Sequence, residues 1–162
     1  MHRRLLVFVL LLAASSFSRS AELEPLEPGS AALDGYLGKG KWLIVMLWAS
    51  DCAACNREAY QYVDFHEFHH DSDARVLGVS LDGGDQVAAR KFIEKHQVSF
   101  PNLITDFNTG SRWFESLTGQ QFWGTPGFLI FDQTGELRAQ QIGAVPVNLI
   151  EDFIAQNSAG NG

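Results

Sequence analysis

The sequence predicts an α/β domain of three layers, in which a central mixed sheet is flanked by helices. Short continuous apolar runs, typical of strands buried on both faces, alternate with segments of helical periodicity. This alternation predicts parallel strands joined by helical crossovers. The last apolar run leads through a turn into a further extended segment, which predicts one antiparallel hairpin. A chain of 162 residues is long enough for one such domain.

Two strands and two helices are expected in the first half of the domain. Residues 43–48 (LIVMLW) and 76–81 (VLGVSL) are apolar almost throughout, as expected of strands inside a sheet. Residues 53–69 can form a helix that begins beside two cysteines. The turn at 82–84 (DGG) ends the second strand. Residues 85–97 predict a helix because apolar residues recur four apart, while lysine and arginine occupy the other face.

The second half is expected to complete the sheet with a hairpin. Residues 100–106 form a short extended piece, and residues 109–117 predict a short helix that ends at Gly119. Residues 127–131 are again an apolar strand. A turn containing glycine leads from this strand into residues 136–142, and this turn chemistry predicts the hairpin.

The closing element is an amphipathic helix over 146–156, with proline at its start. Its spacing predicts that four side chains face the core: Leu149, Ile150, Phe153 and Ile154. Together these elements place the domain at 33–157 and leave a flexible tail at 158–162 (SAGNG).

The first 20 residues are typical of a secretory signal peptide. A short basic segment, 2–4 (HRR), precedes the apolar run 5–14, and small residues at Ser18 and Ser20 suit cleavage before Ala21. Ten apolar residues are few for a membrane span, so an uncleaved anchor is the weaker alternative. We therefore expect a periplasmic or otherwise exported protein.

Residues 21–32 are expected to be a linker or irregular arm before the domain. The stretch 21–30 (AELEPLEPGS) contains two prolines and three glutamates, and it has no helical or strand periodicity. The sequence shows neither an internal repeat nor a second linker. We therefore expect a single domain after this arm.

The charge and the cysteine count exclude several kinds of protein. The chain carries 19 acidic and 12 basic residues, a formal charge of −7. Because there is no basic cluster beyond the extreme N-terminus, we expect no nucleic-acid partner. Two cysteines are too few for a disulfide-rich scaffold or a four-thiolate zinc site.

As to its oligomeric state, we expect the protein to be a monomer.

The two cysteines form the motif Cys52-Ala-Ala-Cys55 where a buried strand gives way to a helix. Random placement of two cysteines gives this spacing in about 1% of arrangements. At a helix N-terminus, unpaired backbone N–H groups stabilise a thiolate. One turn later, the second sulfur lies within disulfide reach. The pattern predicts that Cys52 is the exposed nucleophile and that Cys55, more buried, resolves the mixed disulfide.

Other interpretations of these residues stay open at this point. An inert disulfide would only staple the helix start, although so short a loop stabilises little. A zinc site would need two further ligands, and the histidines available after residue 20 lie well downstream: His66, His69, His70 and His96. The first three could themselves hold a metal from one helix face, or they could form a solvated helix end.

Residues 48–58 (WASDCAACNRE) resemble the active-site segment of thioredoxin-fold proteins, specifically the exported TlpA/ResA-like thiol–disulfide oxidoreductases. The resemblance extends over 33–153 and includes 124–130 (GTPGFLI). It implies a thioredoxin-like fold and exchange between a CxxC dithiol and protein disulfides, with no cofactor. It also implies a reductant role, for example towards apocytochrome c, and a membrane electron donor of the DsbD/CcdA type.

The resemblance also implies residues that bind the substrate. In the family, the proline that matches Pro126 is cis and lies against the disulfide, and the backbone of the preceding residue, here Thr125, pairs with the substrate chain. From the residues alone, Pro126 is equally compatible with a plain strand-start proline. Trp48 and Trp123 flank the site in sequence, and we expect them to shape an apolar rim, although core packing would explain both equally well.

Glu58 matches the family's acidic residue three positions after the second cysteine. A spacing of i, i+3 places Glu58 on the Cys55 face of the helix, where it could accept the Cys55 proton. It could equally be a solvated glutamate of the first turn. Several positions depart from the family pattern. Met46 stands where thioredoxin has a buried aspartate, and the pair 53–54 (AA) lacks the common proline. Asp51 replaces the usual tryptophan and should raise the pKa of Cys52.

Two rival functions belong to other classes of protein. A thioredoxin-fold metal carrier would bind copper or zinc through the two cysteines and a histidine. A thiol peroxidase of the related redoxin group needs a threonine and a proline arranged around its reactive cysteine. No such proline precedes Cys52.

Overall fold

A computed structural model describes residues 23–28 and 30–158 and confirms the three-layer α/β architecture. Within the described residues, six strands form one mixed sheet: β1 Glu24–Pro25, β2 Trp42–Trp48, β3 Ala74–Ser80, β4 Asn102–Ile104, β5 Gly127–Phe131 and β6 Leu137–Ile142. The described part of the chain adds four α-helices to the sheet: α1 Ala53–His69, α2 Gln86–His96, α3 Phe107–Thr118 and α4 Val147–Ser158. A 3-10 turn, Leu33–Gly35, precedes β2.

The sheet has the strand order β1-β4-β3-β2-β5-β6. β2, β3 and β4 run parallel to one another, whereas β5 lies antiparallel to β2 on its other side. β6 returns antiparallel to β5, so the predicted hairpin is confirmed. β2 therefore has a hydrogen-bonded neighbour on each side, and every one of its residues is buried.

The alternation of side chains along β2 divides the core into two halves. Even-numbered side chains such as Ile44 and Met46 belong to the half that includes α1, α2 and α4. Odd-numbered side chains such as Val45 and Leu47 belong to the half that includes α3. The carboxyl end of β2, where the cysteine motif follows, is therefore supported from both faces of the sheet.

The expectation of an irregular arm is wrong for Glu24 and Pro25. β1 adds a strand to the edge of the sheet, paired antiparallel with β4, and Leu26 is only 2% exposed. Prolines favoured an irregular structure, but an edge strand tolerates proline because its outer side needs no N–H donor. The expected signal peptide, residues 1–20, lies outside the described residues.

α4 buries a narrower stripe of side chains than the spacing predicts. Ile150 and Ile154 are buried, but Leu149 is 54% exposed and Phe153 is only half-buried. Successive side chains are about 100° apart around a helix. A stripe centred on Ile150 and Ile154 therefore leaves Leu149 at the surface, and the expectation that it faces the core is wrong.

Two element ends also differ from the expectation. α3 begins two residues before the predicted start, because the Asp106 carboxylate accepts a hydrogen bond from the backbone N–H of Thr109 at 3.0 Å and caps the helix. Ser158, expected in the flexible tail, is the last residue of α4 and accepts a hydrogen bond from Trp42 Nε1 at 3.0 Å. The remaining tail, 159–162, lies outside the described residues.

Candidate active site

The two cysteines lie at the junction between β2 and α1 and form a disulfide. Cys52 is the N-cap residue of α1 and Cys55 lies in its first turn, with 5.2 Å between their Cα atoms. Cys52 Sγ accepts a hydrogen bond from the backbone N–H of Cys55 at 3.1 Å. Cys52 is half-buried, whereas Cys55 is 0% exposed. Cys52 is therefore the more accessible residue of the pair.

A carboxylate holds the turn that precedes Cys52 from the side of β3. Asp82 Oδ1 accepts hydrogen bonds from the backbone N–H of Ser50 at 3.0 Å and from its hydroxyl at 2.7 Å. The second oxygen of Asp82 accepts from the Ser80 hydroxyl at 2.7 Å. Sequence reasoning assigned Asp82 only to a turn. A contact between positions 32 apart leaves no local signal that could have revealed this role.

An amide holds the same turn from the side of α1. Asn56 Nδ2 donates to the backbone carbonyls of Ser50 at 2.9 Å and Cys52 at 3.0 Å. Its Oδ1 accepts from Lys95 Nζ and from His96 Nε2, each at 2.9 Å. Asn56 and Lys95 did not figure in the sequence-based site, and His96 appeared only as a histidine available to a metal, because these contacts between α1 and α2 join positions about 40 apart.

The peptide bond between Thr125 and Pro126 is cis, as the family resemblance implies. The antiparallel register pairs Leu47 near the end of β2 with Gly127 at the start of β5. The chain that follows β2 into the cysteine motif and the chain that enters β5 through Pro126 therefore lie at one edge of the sheet. Pro126 is buried and its carbonyl accepts a hydrogen bond from the backbone N–H of Gly143 at 2.8 Å, while Thr125 is half-buried.

The expectation that Trp48 contributes to a substrate-binding rim is wrong. Trp48 is 1% exposed, stacks on Phe92 with 4.3 Å between ring centroids, and donates from Nε1 to Asn102 Oδ1 at 3.0 Å. As an even-numbered residue of β2 it points into the core beneath α2. Trp123, by contrast, is 73% exposed in the segment that leads to Pro126.

Glu58 is half-buried in the first turns of α1. One of its carboxylate oxygens, Oε2, has no solvent access and no hydrogen-bond partner in the described part of the chain. Tyr62 lies one turn further along the helix and donates from its hydroxyl to the Val145 carbonyl at 2.6 Å. Burial and, to a lesser extent, the charge of Glu58 raise the pKa of Tyr62. The carboxylate of Glu58 is therefore directed towards the protein and not fully solvated.

The three histidines near the end of α1 have separate partners. His66 Nδ1 accepts a hydrogen bond from the backbone N–H of Val76 at 3.1 Å, and burial lowers the pKa of His66 to about 4. His69 Nδ1 lies 2.8 Å from Asp73 Oδ1. His70 Nδ1 lies 3.0 Å from the His66 carbonyl oxygen. Across residues 23–28 and 30–158, no three His, Cys, Asp or Glu side chains are grouped to hold a metal ion.

A family model described as "AhpC/TSA family" matches residues 17–140 of the chain. The chain belongs to the AhpC/TSA family. A curated relative, peroxiredoxin Bcp of Bacillus subtilis (strain 168), is 35% identical over 69 residues, which are 42% of this chain. This AhpC/TSA chain matches only 43% of the length of that relative. None of its described helices is long and apolar enough to cross a membrane.

Solved structures similar to this AhpC/TSA protein include thiol–disulfide oxidoreductases. A DsbF homologue from Corynebacterium diphtheriae aligns with a TM-score of 0.69 and 21% identity, covering 82% of this chain and 81% of that one. The thioredoxin domain of a Bacteroides vulgatus thiol–disulfide oxidoreductase aligns with a TM-score of 0.66 and 22% identity, covering 82% and 91%. StoA of Bacillus subtilis aligns with a TM-score of 0.57 and 20% identity, covering 71% of this chain and 83% of that one. These likenesses confirm the thioredoxin-like fold that the resemblance implies.

Proposed function

We propose that this protein is an exported thiol–disulfide oxidoreductase that reduces disulfides of other exported proteins through Cys52 and Cys55. The observation that carries the proposal is the asymmetry of the pair: Cys52 is partly accessible at the N-cap of α1, whereas Cys55 is fully buried. A disulfide with a purely structural role requires no difference in exposure between its two cysteines. Such a difference is required when one sulfur attacks the substrate and the other resolves the mixed disulfide.

The reaction begins with both cysteines reduced. The Cys52 thiolate attacks one sulfur of a substrate disulfide, which forms a mixed disulfide and releases one substrate thiolate. The Cys55 thiolate then attacks Cys52 Sγ, which re-forms the Cys52–Cys55 disulfide and releases the second substrate thiolate. Two electrons and two protons pass in net from the cysteine pair to the substrate. An external dithiol must afterwards reduce the pair again.

The position of Cys52 at the start of α1 favours its thiolate, the form that attacks a disulfide. The N-terminus of α1 presents unpaired N–H groups and the positive end of the helix dipole, which stabilise a thiolate. The N–H of Cys55 already points at Cys52 Sγ in the disulfide form. The exposed carboxylate of Asp51 acts in the opposite direction, because a neighbouring negative charge disfavours a thiolate.

Glu58 is proposed to take the proton of Cys55 when the mixed disulfide is resolved. It lies three residues after Cys55 on the same helix face, and its Oε2 is a buried acceptor without a hydrogen-bond partner in the described chain. Thr125 and Pro126 are proposed to bind the substrate chain, since they lie at the same edge of the sheet as the cysteine motif.

The partners follow from the same chemistry. The substrate is proposed to be an exported protein with a reducible disulfide, such as apocytochrome c, and the electron donor a membrane protein of the DsbD/CcdA type. We propose that the protein acts as a monomer, without nucleic acid and without a cofactor. The signal-peptide pattern of residues 1–20 supports export.

The proposal is tested by the reduction of insulin disulfides with the purified protein and dithiothreitol as electron donor. We expect the wild type to accelerate the reduction and Cys52→Ser to lose at least about 100-fold in rate, because the attacking sulfur is gone. Ser72→Ala, a substitution at an exposed turn remote in sequence from the motif, is the control and should retain the wild-type rate. Unchanged activity in Cys52→Ser would contradict the proposal.

A thiol peroxidase is the second candidate, favoured by the similarity to a peroxiredoxin over 69 residues. In that reaction the Cys52 thiolate would attack a hydroperoxide, release an alcohol and become a sulfenic acid, which Cys55 would condense to the same disulfide with loss of water. The nearest proline before Cys52 is Pro28, so the proline that the peroxidases require is missing. Consumption of peroxide at a catalytic rate, without insulin reduction, would favour this candidate.

A further inference from the structure

The side chain of Asn56 connects the turn before the cysteine motif to the end of α2. Its Nδ2 donates to the carbonyls of Ser50 and Cys52, and its Oδ1 accepts from Lys95 Nζ and His96 Nε2. A primary amide has two donor hydrogens and two acceptor lone pairs. All four are used here, so a carboxylate in this position would lose the two bonds that the amide donates, and an aliphatic side chain would lose all four.

Lys95 is the charged partner of this amide at neutral pH. Burial, and then the charge of Lys95, lower the pKa of His96, which therefore stays neutral near pH 7. The ammonium of Lys95 lies 2.9 Å from Asn56 Oδ1. The carboxylate of Asp82 accepts hydrogen bonds from the N–H and the hydroxyl of Ser50 in the same turn. The turn before Cys52 is thus bound directly by an anion and, through Asn56, by a cation.

The direction in which the charge of Lys95 would shift the pKa of the Cys52 thiol follows from electrostatics. A positive charge near a thiol favours the thiolate and lowers the pKa of that thiol. A cation that binds the Oδ1 end of an amide also polarises the group, which strengthens the bonds that its N–H hydrogens donate. Those hydrogens point at the carbonyls on either side of the Cys52 turn. Because Lys95 is exposed, solvent screens part of its effect.

We propose that Asn56 is a positioning residue for Cys52, and that Lys95 acts through Asn56 to favour the Cys52 thiolate. The proposal rests on the proposed function, because it assigns these two residues to the acidity of the sulfur that attacks the substrate. The positive charge of Lys95 would oppose the effect of the Asp51 carboxylate, which is adjacent to Cys52 in sequence and disfavours its thiolate.

α2 itself offers a matched control. Lys91 lies one turn before Lys95 and lines the same cavity of about 220 Å³, together with Ser50 and Asn56. It carries the same charge and is exposed like Lys95. Among the hydrogen bonds of the described chain, however, Asn56 receives its ammonium contact from Lys95 alone. Replacing Lys91 therefore removes a nearby charge without breaking the connection through Asn56.

The test measures the pKa of Cys52 in the reduced full-length protein, from the pH dependence of its alkylation by iodoacetamide, with the modified residue assigned by mass spectrometry. We expect Lys95→Met to raise this pKa by about half a unit or more. Lys95→Arg should leave it within about 0.2 units of the wild type, because the charge is retained. Lys91→Met should raise it by less than half the Lys95→Met shift.

A double-mutant cycle separates action through Asn56 from action through space. In an Asn56→Leu background, Lys95→Met should add no further shift, since the connection is already broken. An equal shift in both backgrounds would overturn the role of Asn56, and an unchanged pKa in Lys95→Met would overturn the role of Lys95. Thermal unfolding of each variant identifies any loss of fold. Because alkylation needs no substrate, a failure of the proposed function would leave this measurement unaffected.

Discussion

At the scale of single residues, His66 is a buried base that the fold keeps neutral. It is 8% exposed, and its Nδ1 accepts a hydrogen bond from the backbone of β3, a contact that requires the unprotonated ring nitrogen. Burial, and then the neighbouring His70, lower the pKa of His66 from 6.5 to about 4. Protonation of His66 therefore favours the unfolded chain.

This histidine predicts a pH-dependent stability. Between pH 6.5 and 4 the unfolded chain holds a proton on His66 that the folded chain does not. The contribution of neutral His66 to the free energy of unfolding is therefore complete above pH 6.5 and is lost as the pH falls towards 4. The slope approaches about 1.4 kcal/mol per pH unit within this window. His66→Asn, which keeps an acceptor but does not titrate, should lower that slope in urea unfolding. An equal slope in both proteins would contradict the assignment.

Site residues that belong to a short sequence motif could be predicted, whereas those that act through contacts between distant sequence positions could not. Cys52 and Cys55 could be identified because three-residue spacing at a helix start is itself the motif. The Asn56–Lys95 and Ser50–Asp82 contacts join positions 39 and 32 apart, so no local pattern records them. Trp48 was misassigned because sequence proximity to Cys52 does not fix the direction of its side chain, which strand alternation turns into the core.

At the scale of elements, β1 shows how a short strand depends on its partner. Two residues without periodicity carry no strand signal, and they become a strand because β4, nearly 80 positions later, offers them an edge. The neighbouring Leu26 is 2% exposed and donates its backbone N–H to the Asn102 carbonyl at 2.9 Å. The segment therefore contributes both packing and pairing to the sheet.

The burial of Leu26 predicts a large cost of truncation. Leu26→Ala should lower the free energy of unfolding by about 2–4 kcal/mol, because it removes a buried side chain from the core. Leu149→Ala is the matched control on α4, and it should cost less than about 1 kcal/mol because Leu149 is 54% exposed. Chemical unfolding of the three proteins measures the difference. Equal costs would mean that residues 23–26 do not belong to the folded core.

At the scale of the whole molecule, the topology explains why the site forms where it does. β2 and β5 are antiparallel neighbours, so the end of one strand and the start of the other meet at the same edge of the sheet. This brings residues 52–55 and Pro126 to one edge although more than 70 positions separate them. The alternation of strands and helices could be predicted from the sequence. The position of β1 in the sheet, and the hydrogen bonds of Asp82 and Asn56 to the turn before Cys52, could be identified only in the folded structure.

The most direct test of the account traps the covalent intermediate. Reduced Cys55→Ser protein is mixed with a disulfide-containing protein substrate, and the product is resolved on a non-reducing gel and mapped by mass spectrometry. The account predicts a stable mixed disulfide at Cys52, because the buried resolving sulfur is gone, whereas Cys52→Ser forms no adduct. An adduct at Cys55 in the Cys52→Ser protein, or none at Cys52 in the Cys55→Ser protein, would contradict it.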